Sequence, residues 1–535
     1  MPEFSKVTKC ETKSTLYRKE GNEKYQKHNY REALIWYNNA ILFAPENSTA
    51  LKLGYSNRSA LLYTIKAYKA CLNDIDTCFN MGCTDQSLAD RLAQRRRECR
   101  ENISRDDKRP IVKRGTFGGT FFNFDVKRNS QIPCVSHDVG VVKETDKVKA
   151  VAARNIEVGT VVALETAYVC ELELAHKYLA CFYCHKFDLN LIPCDKCCEV
   201  MFCSETCKVR CNNEFHDIEC QIMHCIKFTQ GGASCKMKIK AAIKMRKKCL
   251  SWQEFIEAST NMGPERMKKS SVDEIYDVKK KFSLLCFDND IYFLYGQLCD
   301  ASLLTAIVIY YLLQVPSFFP ERQEERDKAI QAFARVMVNL CLFYRKVEIM
   351  NPTMDPETGI LGHTMVNFGW FSFSGKLKHC CDANLLVLGL NNRVALIAIK
   401  PIKNGDELTI SYKGHYFERY YWKDSLNFRP IALFCSNQIL CNCHVCTEKW
   451  SPLQYRNQKL NTEQQCLVKS CFANENSSQM ENFRNAFMFK KICNALTALQ
   501  DAPASKEYLQ VFKEFRNFTG IYQVMCTDNV LQSNK

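Results

Sequence analysis

The chain has 535 residues, of which 46% are hydrophobic, so it is long enough for about three folded domains and too apolar for a disordered protein. Lysine and arginine number 73 against 58 acidic residues, and this net charge of +15 is spread along the chain, which does not favour direct nucleic-acid binding. No window of about 20 uncharged apolar residues occurs and the N-terminus lacks the apolar core of a signal peptide, so we predict no membrane association. We therefore expect a cytoplasmic and/or nuclear monomer whose 32 cysteines are reduced or metal-bound.

Residues 1–104 are predicted to form helical hairpins. Small, aromatic and proline residues fall at the spacing of one tetratricopeptide repeat, in the positions Tyr17, Gly21, Ala33, Tyr37, Ala40 and Pro45. The small residues allow two helices to approach closely, and the tyrosines fill the groove between neighbouring helices. Repeats of this kind bury their faces against one another, so we predict a docking platform of two to three units.

Five polar residues of these helices resemble the carboxylate clamp of chaperone-binding repeats. They are Arg18, Asn22, Asn57, Arg91 and Arg95. Such a clamp binds the C-terminal carboxylate and the acidic side chains of a peptide, so the resemblance implies chaperone C-terminal tails as partners. The alternative, that these are ordinary exposed helix residues, stays open on the sequence alone.

Residues 105–137 contain several glycines and prolines and are predicted to be a linker. In 138–180 apolar residues alternate with polar ones, as in VAARNIEVGTVVALETAYV, which predicts strands. Helical patterns return in 221–350. Short strands are predicted again in 351–415, and the last region, 451–535, is predicted to be helical.

A cysteine-rich module spans 181–220 and interrupts the predicted strands. It holds eight soft ligands in four close pairs, Cys181/Cys184, Cys194/Cys197, Cys203/Cys207 and His216/Cys220. Each pair can place two ligands on one tetrahedral zinc ion, so eight ligands predict two closed, structural sites. The spacing disfavours the alternative of scattered buried cysteines.

The run from Phe202 to Cys207, followed by His216 and Cys220, resembles the MYND zinc finger. In that family the pairs interleave. The resemblance implies that the first and third pairs share one zinc, that the second and fourth share the other, and that Cys198 and Cys211 are not ligands.

A third cysteine cluster, C-x-C-x2-C, lies in 416–450 at Cys441, Cys443 and Cys446. With the finger inserted among strands, the chain resembles the SET-and-MYND family, whose post-SET zinc site takes its fourth ligand from a position matching Cys381. The resemblance implies an α+β multidomain fold. Helical repeats would precede a β-rich SET fold that is split by the finger and a helical insert, followed by the post-SET site and a helical C-terminus, with about three structural zinc ions in all.

The family comprises protein-lysine methyltransferases that use S-adenosylmethionine. The segment 405–412, GDELTISY, is similar to the family's G-[DE]-E-[IL]-x-x-x-Y, which implies that Tyr412 lines the channel for the target lysine. The segment KHCCDAN is similar to N-H-S-C-x-P-N, which implies that Lys378, His379 and Asn384 contact the cofactor.

Two of the family's three cofactor segments depart from the family pattern in this chain, as do the residues before the third cysteine cluster. Lys378 replaces an asparagine, and Lys147 and Lys149 replace the glycines of a G-x-G turn, while Asn437 and Ile439 replace aromatic residues before the third cluster. Lysine only donates hydrogen bonds and adds positive charge beside a sulfonium cofactor. Two hypotheses remain: a methyltransferase, and a catalytically inactive, zinc-stabilised adaptor that binds partner peptides or corepressor motifs through the finger and the repeats.

Overall fold

The computed structural model describes residues 7–82, 85–107, 121–122, 124–144, 148–226, 232–287, 295–343, 347–354, 361–412, 441–447, 459–472, 486–502 and 505–526. These residues fold as two compact units. The N-terminal unit takes its residues from 1–114 and 171–233, and the sheet unit takes them from 115–170 and 234–526.

The N-terminal unit begins with five helices, which confirms the predicted helical region. They are α1 (Glu11–Gln26), α2 (Tyr30–Phe43), α3 (Thr49–Thr64), α4 (Tyr68–Asn80) and α5 (Gln86–Asp107). A Cβ atom at Gly21 would lie 2.6 Å from the ring of Tyr37, so only glycine allows α1 and α2 to pack this closely. Asn29 caps α2 and Ser48 caps α3 by accepting from backbone amides three residues on.

Hydrogen bonds from a buried ion pair connect these helices to the cysteine-rich module. The Arg58 guanidinium, which is fully buried, donates to both carboxylate oxygens of Asp74 at 2.7 Å and to the Leu191 carbonyl at 2.8 Å. Burial alone would lower the pKa of Arg58, but the charge of Asp74 outweighs it and raises that pKa. Asn190 donates to Asp74 at 2.8 Å, and Asn38 donates to the Tyr178 carbonyl at 2.7 Å.

The module itself contains a short hairpin and two helices. Its elements are β5 (Ile192–Pro193), β6 (Met201–Phe202), α6 (Glu205–Cys211) and α7 (Asp217–Ile226), with one π-helical turn between α6 and α7. Ser204 caps α6 by accepting from the Cys207 amide, which sets the start of the helix that carries Cys207.

The other strands are β1 (Val139–Lys143), β2 (Val148–Ala152), β3 (Val161–Thr166), β4 (Val169–Leu172), β7 (Val347–Met354), β8 (Leu361–Trp370), β9 (Lys378–His379), β10 (Leu385–Leu390), β11 (Arg393–Ala398) and β12 (Thr409–Ile410). A five-stranded sheet has the order β3-β11-β10-β12-β9, and β1 pairs with β2. The β-sheet region predicted from the sequence is thereby confirmed. The long β7–β8 hairpin was not predicted, and β7 begins at Val347, inside the expected helical insert 221–350.

β12 lies between β9 and β10 and is parallel to both. His379 is opposite Ile410 on one side, and Leu385 is opposite Ile410 on the other. The segment 380–384 therefore crosses over β12 to connect its two neighbours. This crossing brings the predicted cofactor motif and the predicted tyrosine motif together.

The sheet has an apolar core on each face, as the alternation of β11 requires. Ala395 and Ile397 pack with C-terminal residues such as Phe515, whereas Leu396 and Ala398 pack with β1, β2 and Ile410. Ile132 and Val135, which lie in the predicted linker, are fully buried in the second core.

The remaining helices of the sheet unit are α8 (Gly232–Lys248), α9 (Trp252–Thr260), α10 (Pro264–Lys269), α11 (Val272–Tyr276), α12 (Tyr295–Leu312), α13 (Gln323–Phe343), α14 (His444–Thr447), α15 (Thr462–Phe472), α16 (Ala486–Ala498) and α17 (Lys506–Cys526). The C-terminus is thus helical, as predicted. Among the described residues, every helix is too short or too polar to cross a membrane.

Candidate metal centres and cofactor site

The cysteine-rich module brings its eight predicted ligands together in two interleaved sets. Cluster I is Cys181, Cys184, Cys203 and Cys207, and cluster II is Cys194, Cys197, His216 and Cys220. Within each cluster the ligand atoms all lie within 4.8 Å of one another. The interleaving is the one that the family resemblance implies, and Cys198 and Cys211 are buried outside both sets.

The spacing of these atoms fits a tetrahedral metal ion. Sulfur atoms at about 2.3 Å from a zinc ion stand about 3.8 Å apart. In cluster I, Cys184 and Cys207 each have their sulfur 3.6 Å from that of Cys203. These distances are far longer than the about 2.0 Å of a disulfide.

Cluster II contains a supporting carboxylate that the sequence analysis missed. Nε2 of His216 lies 3.7 Å from the sulfur of Cys197, on the metal side, while Nδ1 lies 3.1 Å from Glu219 Oε2. Both side chains are fully buried. A carboxylate on the far nitrogen of a metal-binding histidine fixes its tautomer and orientation. The signal in the sequence is an acidic residue one helical turn after the histidine.

Cluster III joins Cys381 to Cys441, Cys443 and Cys446, the fourth-ligand arrangement implied by the resemblance. The Cys381 sulfur lies 4.0 Å from that of Cys441 and 3.6 Å from that of Cys446, so this set also fits a tetrahedral ion. Beside it, the buried Asp382 carboxylate pairs with Lys400 and lies 3.3 Å from Nε2 of His444. This contact raises the pKa of His444.

Tyr412 and His379 lie next to cluster III. The Tyr412 amide donates to Nδ1 of His379 at 3.2 Å, and the two rings are in tilted contact with centroids 5.0 Å apart. The Tyr412 hydroxyl donates to the Leu377 carbonyl. Nε2 of His379 lies 3.4 Å from the sulfur of Cys381. The structure thus brings a predicted catalytic residue, a predicted cofactor residue and a predicted metal ligand into one cluster of contacts.

Lys378 and Lys149 both pair with carboxylates. The side chain of Lys378 is 59% exposed, and its Nζ lies 3.4 Å from Glu407 Oε2. Nζ of Lys149 lies 2.7 Å from Glu144 Oε1. Each of these two extra positive charges therefore has a carboxylate neighbour. Lys147, Asn437 and Ile439 lie outside the described residues.

Asn384 uses its amide to hold the crossing segment onto β12. Its Oδ1 accepts from the Thr409 amide at 2.8 Å and from the Thr409 hydroxyl at 3.1 Å, and its Nδ2 donates to the Glu407 carbonyl at 2.9 Å. These bonds support the fold of the site. A role of Asn384 in cofactor binding stays a prediction.

A buried carboxylate supports the turn before β9. Glu165, which is fully buried, accepts from the Phe373 amide at 2.7 Å and from the amide and hydroxyl of Ser374 at 2.8 and 2.7 Å. Burial raises the pKa of Glu165, and these hydrogen bonds offset part of that shift. The turn leads directly to Leu377, whose carbonyl holds the Tyr412 hydroxyl. No local sequence signal marks Glu165, because its partners are about 200 residues away along the chain.

The predicted clamp residues lie on α1, α3 and α5. Asn57 donates to Asn22 at 2.7 Å, and Arg95 donates to the Ser59 hydroxyl at 2.8 Å, so these three connect adjacent helices. Arg91 is exposed and donates within its own helix. Arg18 is half-buried and forms no hydrogen bond or ion pair with the described part of the chain.

The SET-domain family model matches residues 15–413 of this chain. Among curated proteins, the chain is similar to one named protein-lysine N-methyltransferase SMYD4 in several vertebrates. The Danio rerio protein is 26% identical over 232 residues, which cover 40% of this chain and 30% of the relative. The Mus musculus protein is 24% identical over 270 residues, which cover 39% of this chain and 34% of the relative. The matched part thus spans about a third of the length of these relatives.

Proposed function

Because the chain belongs to the SET-domain family, in its SET-and-MYND branch, we propose that it is an S-adenosylmethionine-dependent protein-lysine N-methyltransferase. The named activity of its relatives supports this proposal, as does the arrangement around Tyr412. The N-terminal hairpins would be tetratricopeptide repeats, and residues 181–220 a MYND finger.

The observation that carries the proposal is the fixed position of Tyr412. Its hydroxyl has one proton, which it donates to the Leu377 carbonyl, so the lone pairs of the oxygen remain available as acceptors. An amine of a substrate lysine could donate to that oxygen and be oriented for in-line attack. Methyl transfer depends mainly on such positioning, because the chain has little covalent chemistry to perform.

The carboxylate partners of Lys378 and Lys149 support this activity. Bound S-adenosylmethionine would supply the methyl group on a positively charged sulfonium. An unpaired lysine beside that charge would oppose binding, but Lys378 pairs with Glu407 and Lys149 pairs with Glu144. Lys378 and His379, together with the backbone that Asn384 fixes, are the residues that we propose to hold the cofactor.

We further propose that clusters I, II and III each bind one structural zinc ion. Each offers four soft ligands at tetrahedral spacing and leaves no open position, which is typical of structural and not of catalytic zinc. Zinc in clusters I and II would stabilise the module, and zinc in cluster III would hold 441–447 against the segment that carries Cys381.

The test is transfer of an isotopically labelled methyl group from S-adenosylmethionine to a mixture of proteins by the full-length, zinc-loaded chain. Tyr412→Phe removes the hydroxyl and is expected to abolish transfer. Tyr310→Phe is the matched control, since Tyr310 is 45% exposed on α12, and it should keep full transfer. Equal transfer by wild type and Tyr412→Phe would contradict the assigned role of Tyr412.

A second candidate function is peptide docking on the helical hairpins, as an adaptor. It is favoured by Arg18, which lies half-buried on the same helix as Asn22 and forms no hydrogen bond or ion pair with the described residues, while Asn22 and Asn57 are already aligned by a hydrogen bond. We propose that these groups bind an acidic peptide through its free C-terminal carboxylate, such as a chaperone tail. Corepressor motifs are the corresponding proposal for the finger.

Fluorescence anisotropy with an acidic peptide tests this docking. We expect binding that Arg18→Ala weakens and that C-terminal amidation of the peptide also weakens, because both remove one side of the same ion pair. The control Lys19→Ala alters an exposed neighbour and should have little effect. Equal binding of the free and amidated peptides would exclude a carboxylate clamp.

A further inference from the structure

His379 contacts both Tyr412 and cluster III. It is 6% exposed, and both of its ring nitrogens have defined neighbours. Nδ1 faces the Tyr412 amide at 3.2 Å, and Nε2 faces the Cys381 sulfur at 3.4 Å. The imidazole therefore spans the space between a metal ligand and the tyrosine proposed to orient the substrate.

These two contacts select one form of the imidazole. The Tyr412 amide can only donate, so Nδ1 must be an acceptor and carry no proton. The proton of the neutral ring then lies on Nε2 and points to the Cys381 sulfur. Cys381 is a thiolate when it binds metal, and a thiolate accepts such a hydrogen bond. A metal ion in cluster III thus favours the same tautomer that the Tyr412 amide requires.

Residues 377–379 contact Tyr412 at three places. Its amide bonds to His379, its ring lies against the His379 ring, and its hydroxyl bonds to the Leu377 carbonyl. β9 and β12 are also paired in register, with His379 opposite Ile410, two residues before Tyr412. A rotation of the His379 ring would therefore disturb both the amide and the ring contact of Tyr412.

We propose that His379 is a positioning residue that couples metal occupancy of cluster III to the orientation of Tyr412. The connection runs from the Cys381 sulfur through Nε2 and Nδ1 of His379 to the Tyr412 amide. Its catalytic consequence rests on the proposed methyltransferase function, because Tyr412 would orient the substrate amine. The coupling itself is a property of the folded chain and can be measured without cofactor or substrate.

The first experiment measures the Tyr412 amide signal by NMR in full-length, zinc-loaded protein labelled with ¹⁵N-tyrosine, assigned by its disappearance in Tyr412→Phe. Cys446→Ser removes a ligand of cluster III that lies on α14, away from β9. We expect it to shift the Tyr412 signal. The matched control is Cys184→Ser, which removes a ligand of cluster I and should leave the signal in place. An unmoved Tyr412 signal in Cys446→Ser would overturn the proposal.

Two conservative variants at 379 separate the contact of His379 with the Tyr412 amide from its contact with the Cys381 sulfur. Asparagine at 379 removes the ring contact, so the Tyr412 signal of His379→Asn serves as the reference for its double variant. Asparagine still offers an oxygen near the position of Nδ1, so it should keep the hydrogen bond to the Tyr412 amide. It lacks the donor to Cys381 and should weaken zinc binding at cluster III by about 10- to 100-fold in competition with a chelator. Glutamine reaches the position of Nε2, so His379→Gln should keep the zinc and shift the Tyr412 signal.

Combining each variant with Cys446→Ser completes the test. Neither double variant should show the further Tyr412 shift that Cys446→Ser causes in the wild type, because the connection is already broken. A full shift in the His379→Asn background would overturn the role of His379. If the signals behave as expected while methyl transfer is absent, the coupling stands and the proposed activity fails. If methyl transfer is present and the signal ignores cluster III, the coupling fails and the activity stands.

Discussion

The three cysteine clusters keep all the ligands that the family pattern requires, whereas the segments proposed to bind the cofactor carry substitutions. Clusters I and II each bring four ligand atoms within 4.8 Å of one another, and none of the expected ligands is replaced. Around the proposed cofactor site, Lys378 and Lys149 occupy positions where the family has asparagine and glycine, and each has gained a carboxylate partner.

The metal clusters and the cofactor site differ because a metal ion depends on four ligands, whereas a cofactor is bound by many contacts. In a closed tetrahedral site, the loss of one ligand leaves three thiolates or imidazoles around an under-coordinated ion, and no neighbour can compensate. At a cofactor site, binding is distributed over many contacts, so a substituted side chain can be compensated by a nearby charge. Substitutions should therefore have large effects at the metal clusters, where every ligand is required, and small effects at the proposed cofactor site.

The largest effect is expected from Cys203→Ala. Structural zinc contributes on the order of 10 kcal/mol of binding free energy to folding, so loss of one ligand should unfold the cysteine-rich module locally. Elemental analysis should show the zinc content falling by about one ion per chain. The control Cys198→Ala removes a buried cysteine outside both clusters and should keep all the zinc. An unchanged zinc content in Cys203→Ala would show that the ligand assignment is wrong.

Asp74→Asn tests the buried ion pair of the N-terminal unit, in which Asp74 and Arg58 each depend on the other. Removing one charge leaves the fully buried guanidinium uncompensated, which we expect to lower the free energy of unfolding by about 3–5 kcal/mol. Asp76→Asn on the same helix breaks the partly exposed pair with Arg96 and should cost less than about 1 kcal/mol. Urea denaturation measures both, and equal losses would contradict the distinction.

Glu219→Gln should have a smaller effect that is confined to cluster II. The glutamine keeps the size of the side chain but weakens the support of the His216 ring, so metal affinity should fall by about 10- to 100-fold at one site. Chelator competition should then release about one zinc per chain more easily than in wild type. Glu214→Gln, whose side chain bonds to Tyr183, is the control and should release zinc as wild type does.

The smallest effect is expected from Glu407→Gln. Removing this carboxylate leaves Lys378 uncompensated, and because Lys378 is 59% exposed the affinity for S-adenosylmethionine should fall only about 2- to 5-fold. The double variant Lys378→Asn/Glu407→Gln should bind at least as tightly as wild type, because the unpaired charge is gone. A large loss in both variants would mean that Glu407 supports the site in another way.

The parts of the molecule that depend on local spacing could be predicted from the sequence. The helical N-terminal region, the interrupted sheet and the helical C-terminus follow from periodicity, and the paired cysteines follow from ligand spacing. The close packing at Gly21 was also expected from its position in the first hairpin.

The parts of the molecule that depend on contacts between distant residues could not be predicted from the sequence. Glu165 bonds to Ser374 and Arg58 bonds to Leu191, and no periodic pattern connects residues so far apart. The compensation of Lys378 by Glu407 was equally hidden, because it depends on the parallel pairing of β9 with β12. The β7–β8 hairpin was missed because the helical pattern before it gave no clear end.

Titration calorimetry of the full-length, zinc-loaded chain with S-adenosylmethionine tests the central claim most directly. The methyltransferase proposal predicts a saturable binding isotherm with a dissociation constant in the micromolar range. The absence of binding heat at millimolar cofactor, in protein that retains its zinc, would contradict the methyltransferase proposal and leave the zinc-stabilised adaptor as the function to pursue.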